Sequence, residues 1–132
     1  MKLTAGQQYL GVDWGEKRIG LALADAETKL ALPFKTVPDL RSLLSVIAAE
    51  EIGLVIIGSP RKMTGLEANN PLFLSFLRDL RAQSPAAVVE IDERLSSKAA
   101  DALSGAKRDK AGRDEIAAAL FLQDYLDSKL PI

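Results

Sequence analysis

Three acidic positions in this chain of 132 residues could meet in one site: Asp13, the adjacent pair Asp92 and Glu93, and Asp114. Carboxylates that converge repel one another, and a divalent cation between them removes that cost. Two such ions about 4 Å apart can activate a water and stabilise the leaving oxygen of a phosphodiester. Composition narrows the chemistry further. The chain has no cysteine and no histidine, which excludes a thiolate nucleophile, a disulfide, an imidazole base and the usual transition-metal ligands. Catalysis would rest on carboxylates, lysines, hydroxyls and hard, oxygen-bound cations, which means magnesium or manganese. Asp114 also has a plainer reading as an acid at a helix start, where the dipole favours it by up to about 1 kcal/mol.

For these acids to meet, the elements that carry them must end at one edge. The densest signal is Gly11-Val12-Asp13-Trp14-Gly15-Glu16-Lys17-Arg18-Ile19-Gly20-Leu21-Ala22. An apolar strand over 9–12 reaches Asp13, Gly15 permits a tight turn through its backbone freedom, and a second strand leaves over 19–24. Asp25-Ala26-Glu27-Thr28 turns the chain into a third strand over 30–37, where Pro33 marks a sheet edge. Three strands joined by short turns make an antiparallel meander. Asp39 then caps a helix carrying Leu40, Leu43, Leu44, Ile47 and Ala48 at helical spacing, and Gly53 ends it.

Leu54-Val55-Ile56-Ile57-Gly58 is apolar without alternation, the pattern of a central strand buried on both faces. A polar loop over 59–70 leads to a helix from about Pro71, with Leu72, Phe73, Phe76, Leu77 and Leu80 inward, broken by Ser84-Pro85. A fifth strand over 87–91 ends at Asp92-Glu93-Arg94. Ser96 or Ser97 caps a short helix to about Leu103, and a basic loop over 106–112 follows. The last helix, over about 114–128, is apolar almost all round and so belongs against the sheet. In the order βββαβαβαα, right-handed crossovers make the first, fourth and fifth strands parallel. Asp13, Gly58-Ser59-Pro60 and Asp92-Glu93 then lie just past their C-terminal ends, the edge where open α/β sheets bind ligands.

The length fits one α/β domain over residues 1–132 with a real core. No apolar run approaches the ~20 residues of a membrane helix, and the N-terminus lacks a signal core, so a cytoplasmic protein with no membrane partner is expected. Net charge is −1, yet ten of the seventeen lysines and arginines fall in or beside loops and helix starts. These are Lys17, Arg18, Arg61, Lys62, Arg94, Lys98, Lys107, Arg108, Lys110 and Arg113, enough for a local basic rim suited to nucleic acid.

Four blocks resemble the RuvX/YqgF family, whose members are described both as Holliday junction resolvases and as nucleases of precursor 16S rRNA. They are Gly11 to Gly20, Gly58-Ser59-Pro60 with Gly65, Asp92-Glu93-Arg94-Leu95-Ser96-Ser97, and Asp114-Glu115-Ile116-Ala117-Ala118 leading to Leu122-Gln123. The resemblance implies a ribonuclease-H-like α/β fold, a five-stranded mixed sheet with flanking helices. It implies that Asp13, Glu93 and Asp114 are catalytic carboxylates holding magnesium or manganese. In related RuvC-type resolvases the second acid follows the fourth strand; here Gly58-Ser59-Pro60 stands there and the role falls to Glu93. Lys17 and Arg18 would hold the phosphate beside the cut, with Ser96 and Ser97 as hydroxyl donors. Arg94 would reach a phosphate or pair with a neighbouring acid. Arg61, Lys62, Lys107, Arg108, Lys110 and Arg113 would form a salt-sensitive track. Trp14 either stacks on a base or belongs to the core. The implied activity is endonucleolytic cleavage at the 5′ end of precursor 16S rRNA by a monomer or homodimer. The alternatives are resolution of branched DNA by a dimer and, more distantly, a nucleic-acid-binding module without catalysis.

Overall fold

The computed structural model describes residues 7–59, 71–92 and 110–129. Their elements are β1 (Gln8–Trp14), β2 (Ile19–Asp25), β3 (Ala31–Val37), α1 (Leu40–Ala49), β4 (Ile52–Ser59), α2 (Pro71–Gln83), β5 (Ala87–Asp92) and α3 (Lys110–Lys129). The short helix expected near 96–103 lies outside the described residues.

The strands form one sheet in the order β3-β2-β1-β4-β5. β1, β2 and β3 are antiparallel neighbours, and β1, β4 and β5 run parallel, as the expected crossovers require. Because strand side chains alternate between faces, the sheet builds two cores. On one face Leu10, Val12, Leu21, Val55 and Ile57 pack with Leu43 and Ile47 of α1 and Phe73 and Leu80 of α2. On the other, Tyr9, Ala22, Ala24, Leu54 and Ile56 pack with Ala118, Phe121, Leu122 and Leu126 of α3.

Several local expectations need correction. Helix α1 stops at Ala49, not Gly53; Glu51 takes the left-handed conformation (φ 53°) that glycine usually supplies, and Gly53 lies inside β4. Val46 faces the core and Ala48 does not, while Leu72 on α2 is exposed. Gly15 keeps its tight turn for a different reason: a Cβ there would lie 2.9 Å from the Arg18 carbonyl, while its φ is not left-handed.

Asp39 caps α1 as its sequence predicts, accepting the Ser42 backbone N–H at 2.9 Å. That N–H holds the Asp39 carboxyl below its ordinary value. A carboxyl with a lowered folded pKa contributes stability above its unfolded pKa and loses it as pH falls through the folded one. Asp39→Asn keeps an acceptor but cannot be protonated. Melting temperatures of the two proteins at descending acid pH should therefore fall more steeply for the wild type; parallel curves would assign the cap no electrostatic part.

Candidate functional site

The site grows from one row of residues across the sheet. Asp13 on β1 is opposite Gly20 on β2, Gly20 is opposite Thr36 on β3, and on the other side Asp13 is level with Gly58 on β4 and Gly58 with Ile91 on β5. Residues directly opposed in a sheet share a face. Tyr9, two pleats before Asp13, packs with α3, so the Asp13 row is on the α3 side. Asp13 is half-buried and lies within β1, paired on both sides, rather than just past the strand end. A sheet residue held on both flanks has a fixed backbone, which fixes where its carboxylate emerges.

Helix α3 is seated on that row by two glycines. A Cβ at Gly20 would come within 2.7 Å of the carbonyl carbon, oxygen and Cβ of Asp114. A Cβ at Gly11 would come within 2.8 Å of the Ala118 carbonyl and 2.9 Å of Leu122 Cβ. Asp114, Ala118 and Leu122 are four residues apart and so form one stripe of the helix. The stripe lies on the bare backbone of β1 and β2 and brings Asp114 over the strand partner of Asp13. Two further contacts fix the helix along its axis. Thr36 Oγ donates to Glu115 Oε2 at 2.8 Å at one end. At the other, Gln123 accepts the Ala31 N–H at 2.8 Å and donates to the Lys29 carbonyl at 3.0 Å.

The starting position of α3 changes the reading of Asp114. The helix begins at Lys110, so Asp114 sits beyond the first turn and is neither cap nor first-turn acid. Its carboxylate instead has a cation beside it: Arg18 Nε lies 3.8 Å from Asp114 Oδ2. Arg18 is half-exposed at the end of the β1–β2 turn, next to the exposed Lys17. Trp14 turns to the opposite face, edge-on to Phe73 at 5.6 Å and tilted against Phe76 at 6.2 Å. It is half-buried and packs against the core on the α1 and α2 side of the sheet, away from the Asp13 row.

Of the residues singled out in the sequence, the structure sets Arg18 beside Asp114 and Asp114 over Gly20, the strand partner of Asp13, and leaves Lys17 exposed on the β1–β2 turn. Lys110 and Arg113 belong to α3 rather than to a basic loop. Glu93, Arg94, Ser96, Ser97, Arg61, Lys62, Lys107 and Arg108 lie outside the described residues. Among the described residues, no group of three or more histidine, cysteine, aspartate or glutamate side chains is placed to hold a metal ion. Gly20, Thr36 and Glu115 are the positioning residues that sequence reasoning passed over. Only Gly20 carried a signal, as a second glycine inside a strand, where close backbone approach is a known reason for one.

Residues 7–128 match a family model described as RuvX, Holliday junction resolvase. A protein of Chlorobaculum tepidum described as a candidate pre-16S rRNA nuclease is 36% identical over 141 residues, covering 97% of this chain and 99% of that protein. Among solved structures, T. thermophilus RuvC in complex with a Holliday junction substrate superposes with a TM-score of 0.50 at 15% identity, covering 94% of this chain and 96% of that one. The yeast mitochondrial Holliday junction resolvase gives a TM-score of 0.54 at 8% identity, with 95% and 80% covered. At such identities the likeness is one of fold, and the fold is the expected ribonuclease-H-like five-stranded sheet with flanking helices. No helix among the described residues is long and apolar enough to cross a membrane.

Proposed function

The chain belongs to the RuvX/YqgF family, and from that premise we propose that it is a magnesium- or manganese-dependent endonuclease acting in 5′-end processing of precursor 16S rRNA. The observation that carries this reading is the seating of Asp114 over Gly20, the strand partner of Asp13. Two carboxylates about a hundred positions apart in the chain thereby share one face at the C-terminal end of a parallel strand, where open α/β sheets bind ligands. Their donors are carboxylate oxygens, the type that hard divalent cations take, so the pair fits such an ion. Glu93 is assigned as the third ligand on the resemblance of its sequence block to the family, and it follows the end of β5 in the chain. When bound, the ion supplies an activated water and neutralises charge on the scissile phosphate.

The remaining work falls to the chain itself. Asp13, rigid within β1, and Asp114, fixed by the two glycines, set the positions of the donor oxygens. Lys17 and Arg18 border this pair on the β1–β2 turn and meet the phosphate beside the cut. Arg94, Ser96 and Ser97 are assigned to the same phosphate. Arg61, Lys62, Lys107, Arg108, Lys110 and Arg113 hold the flanking backbone, with affinity that falls as salt rises. The nuclease domain is taken as residues 1–132, and a ribosomal RNA substrate places it in the cytoplasm.

The likeness to junction-resolving folds favours a second reading, symmetric cleavage of four-way DNA junctions. That reaction needs two sites related by a two-fold axis, hence a homodimer. Labelled precursor 16S RNA with a 5′ extension and a labelled four-way junction, each with magnesium or manganese, separate the two. RNA-only cutting is the expected result. Paired nicks in the junction by a dimer would replace it with the resolvase reading. Binding of either substrate without cutting under any divalent cation would leave only a nucleic-acid-binding module.

A further inference from the structure

Arg18 and Asp114 form a loose, partly exposed ion pair. The 3.8 Å between Arg18 Nε and Asp114 Oδ2 exceeds the 2.7–2.9 Å of a charge-assisted hydrogen bond. Neither group is sealed in, since the two side chains retain 38% and 25% of their exposure. The backbones, by contrast, are fixed. Arg18 closes a turn whose carbonyl leaves no room for a Cβ at Gly15, and Asp114 is pressed onto Gly20. The pair thus joins two tightly packed backbone positions through one long side chain. Such a contact is easily broken and easily remade.

We propose that Arg18 is a counter-ion that occupies Asp114 when no divalent cation is bound and must withdraw from it before one can bind. This rests on the metal-dependent reading given above. The physical reason is charge. Asp13 and Asp114 on one face are disfavoured together unless a cation stands near them. The guanidinium supplies that charge in the metal-free protein. A divalent ion brings twice the charge and direct coordination, and the carboxylate oxygen facing Arg18 is then wanted by both. The two cations compete, so the pair stabilises the empty site and weakens ion binding. An arginine displaced from Asp114 remains on the same rim, where a substrate phosphate would be its next partner.

Manganese binding to the full chain, followed by the loss of the free-ion electron paramagnetic resonance signal, tests this without any turnover. Arg18→Gln should bind manganese about two- to fivefold more tightly than wild type, the scale of one exposed ion pair. Its melting temperature without metal should fall, and its rise on adding manganese should be larger than that of wild type. Lys17→Gln removes the same charge one residue away and should shift the affinity distinctly less. Equal affinities in wild type and Arg18→Gln would overturn the inference alone. Equal gains in Arg18→Gln and Lys17→Gln would also overturn it, because the effect would then be general charge rather than competition for Asp114. Manganese binding to none of the three would overturn the metal-dependent reading, and this inference with it.

Discussion

Asp13→Asn should abolish cleavage while leaving the fold intact. The side chains are the same size, asparagine keeps an acceptor oxygen, and the β1 backbone is held by strand pairing on both flanks. What changes is charge and donor strength. An amide oxygen is a poorer ligand for a hard cation than a carboxylate, and its NH₂ end repels the ion. Losing one metal carboxylate should cost several kcal/mol of transition-state stabilisation, roughly a thousandfold or more in rate. Stability should move the other way or not at all, since one of two neighbouring carboxylates is neutralised in the metal-free protein. Rates and melting temperatures measured on the same preparation separate these effects. A variant that cuts as fast as wild type would remove Asp13 from the site. One that loses both activity and melting temperature would make Asp13 a structural residue.

How much of this was legible in the sequence follows from what each feature depends on. The sheet was legible because its signals are local. An unalternating run from Leu54 to Ile57 cannot be half-exposed, and Pro33 cannot sit in a central strand. Strand direction then followed from the handedness of crossovers. Boundaries failed where tertiary contacts overrode local propensity. Gly112 and its basic neighbours read as loop, yet α3 already includes them, and the chain after α1 turns at Glu51 without a glycine. Trp14 was ambiguous because a strand-end aromatic can face either way, and only Phe73 and Phe76 across the chain decide it.

The candidate site was legible as a list of candidate residues and not as an arrangement. Motif blocks supplied Asp13 and Asp114, but their meeting depends on which helix lies on which strand. The information was present in Gly20 and Gly11, whose missing side chains record the path of α3. A glycine inside a strand signals close backbone approach, but nothing local says which element approaches it. The ion pair of Arg18 with Asp114 was not legible for the same reason: in the sequence Arg18 is a turn residue, and its pairing with Asp114 spans most of the chain.

Gly20→Ala should therefore damage the site more than any substitution of similar size on the sheet. A methyl group there would meet the Asp114 carbonyl carbon at 2.5 Å, its oxygen at 2.6 Å and its Cβ at 2.7 Å. Two of these atoms are backbone, which cannot rotate aside as a flexible side-chain tip can. Helix α3 must lift, and overpacking of this kind costs typically about 1–3 kcal/mol, several degrees in melting temperature. The same displacement carries Asp114 away from Asp13, so manganese affinity and cleavage rate should both fall. Gly11→Ala provides the comparison. Its methyl would strike the same helix at the Ala118 carbonyl and Leu122 Cβ, one to two turns beyond Asp114. The two variants should lose similar stability, but only Gly20→Ala should lose most of its metal affinity. If both lose it equally, α3 moves as a rigid body and Gly20 has no special hold on Asp114. If Gly20→Ala melts and binds manganese like wild type, the helix is not seated on that glycine, and the meeting of the two carboxylates loses its structural basis.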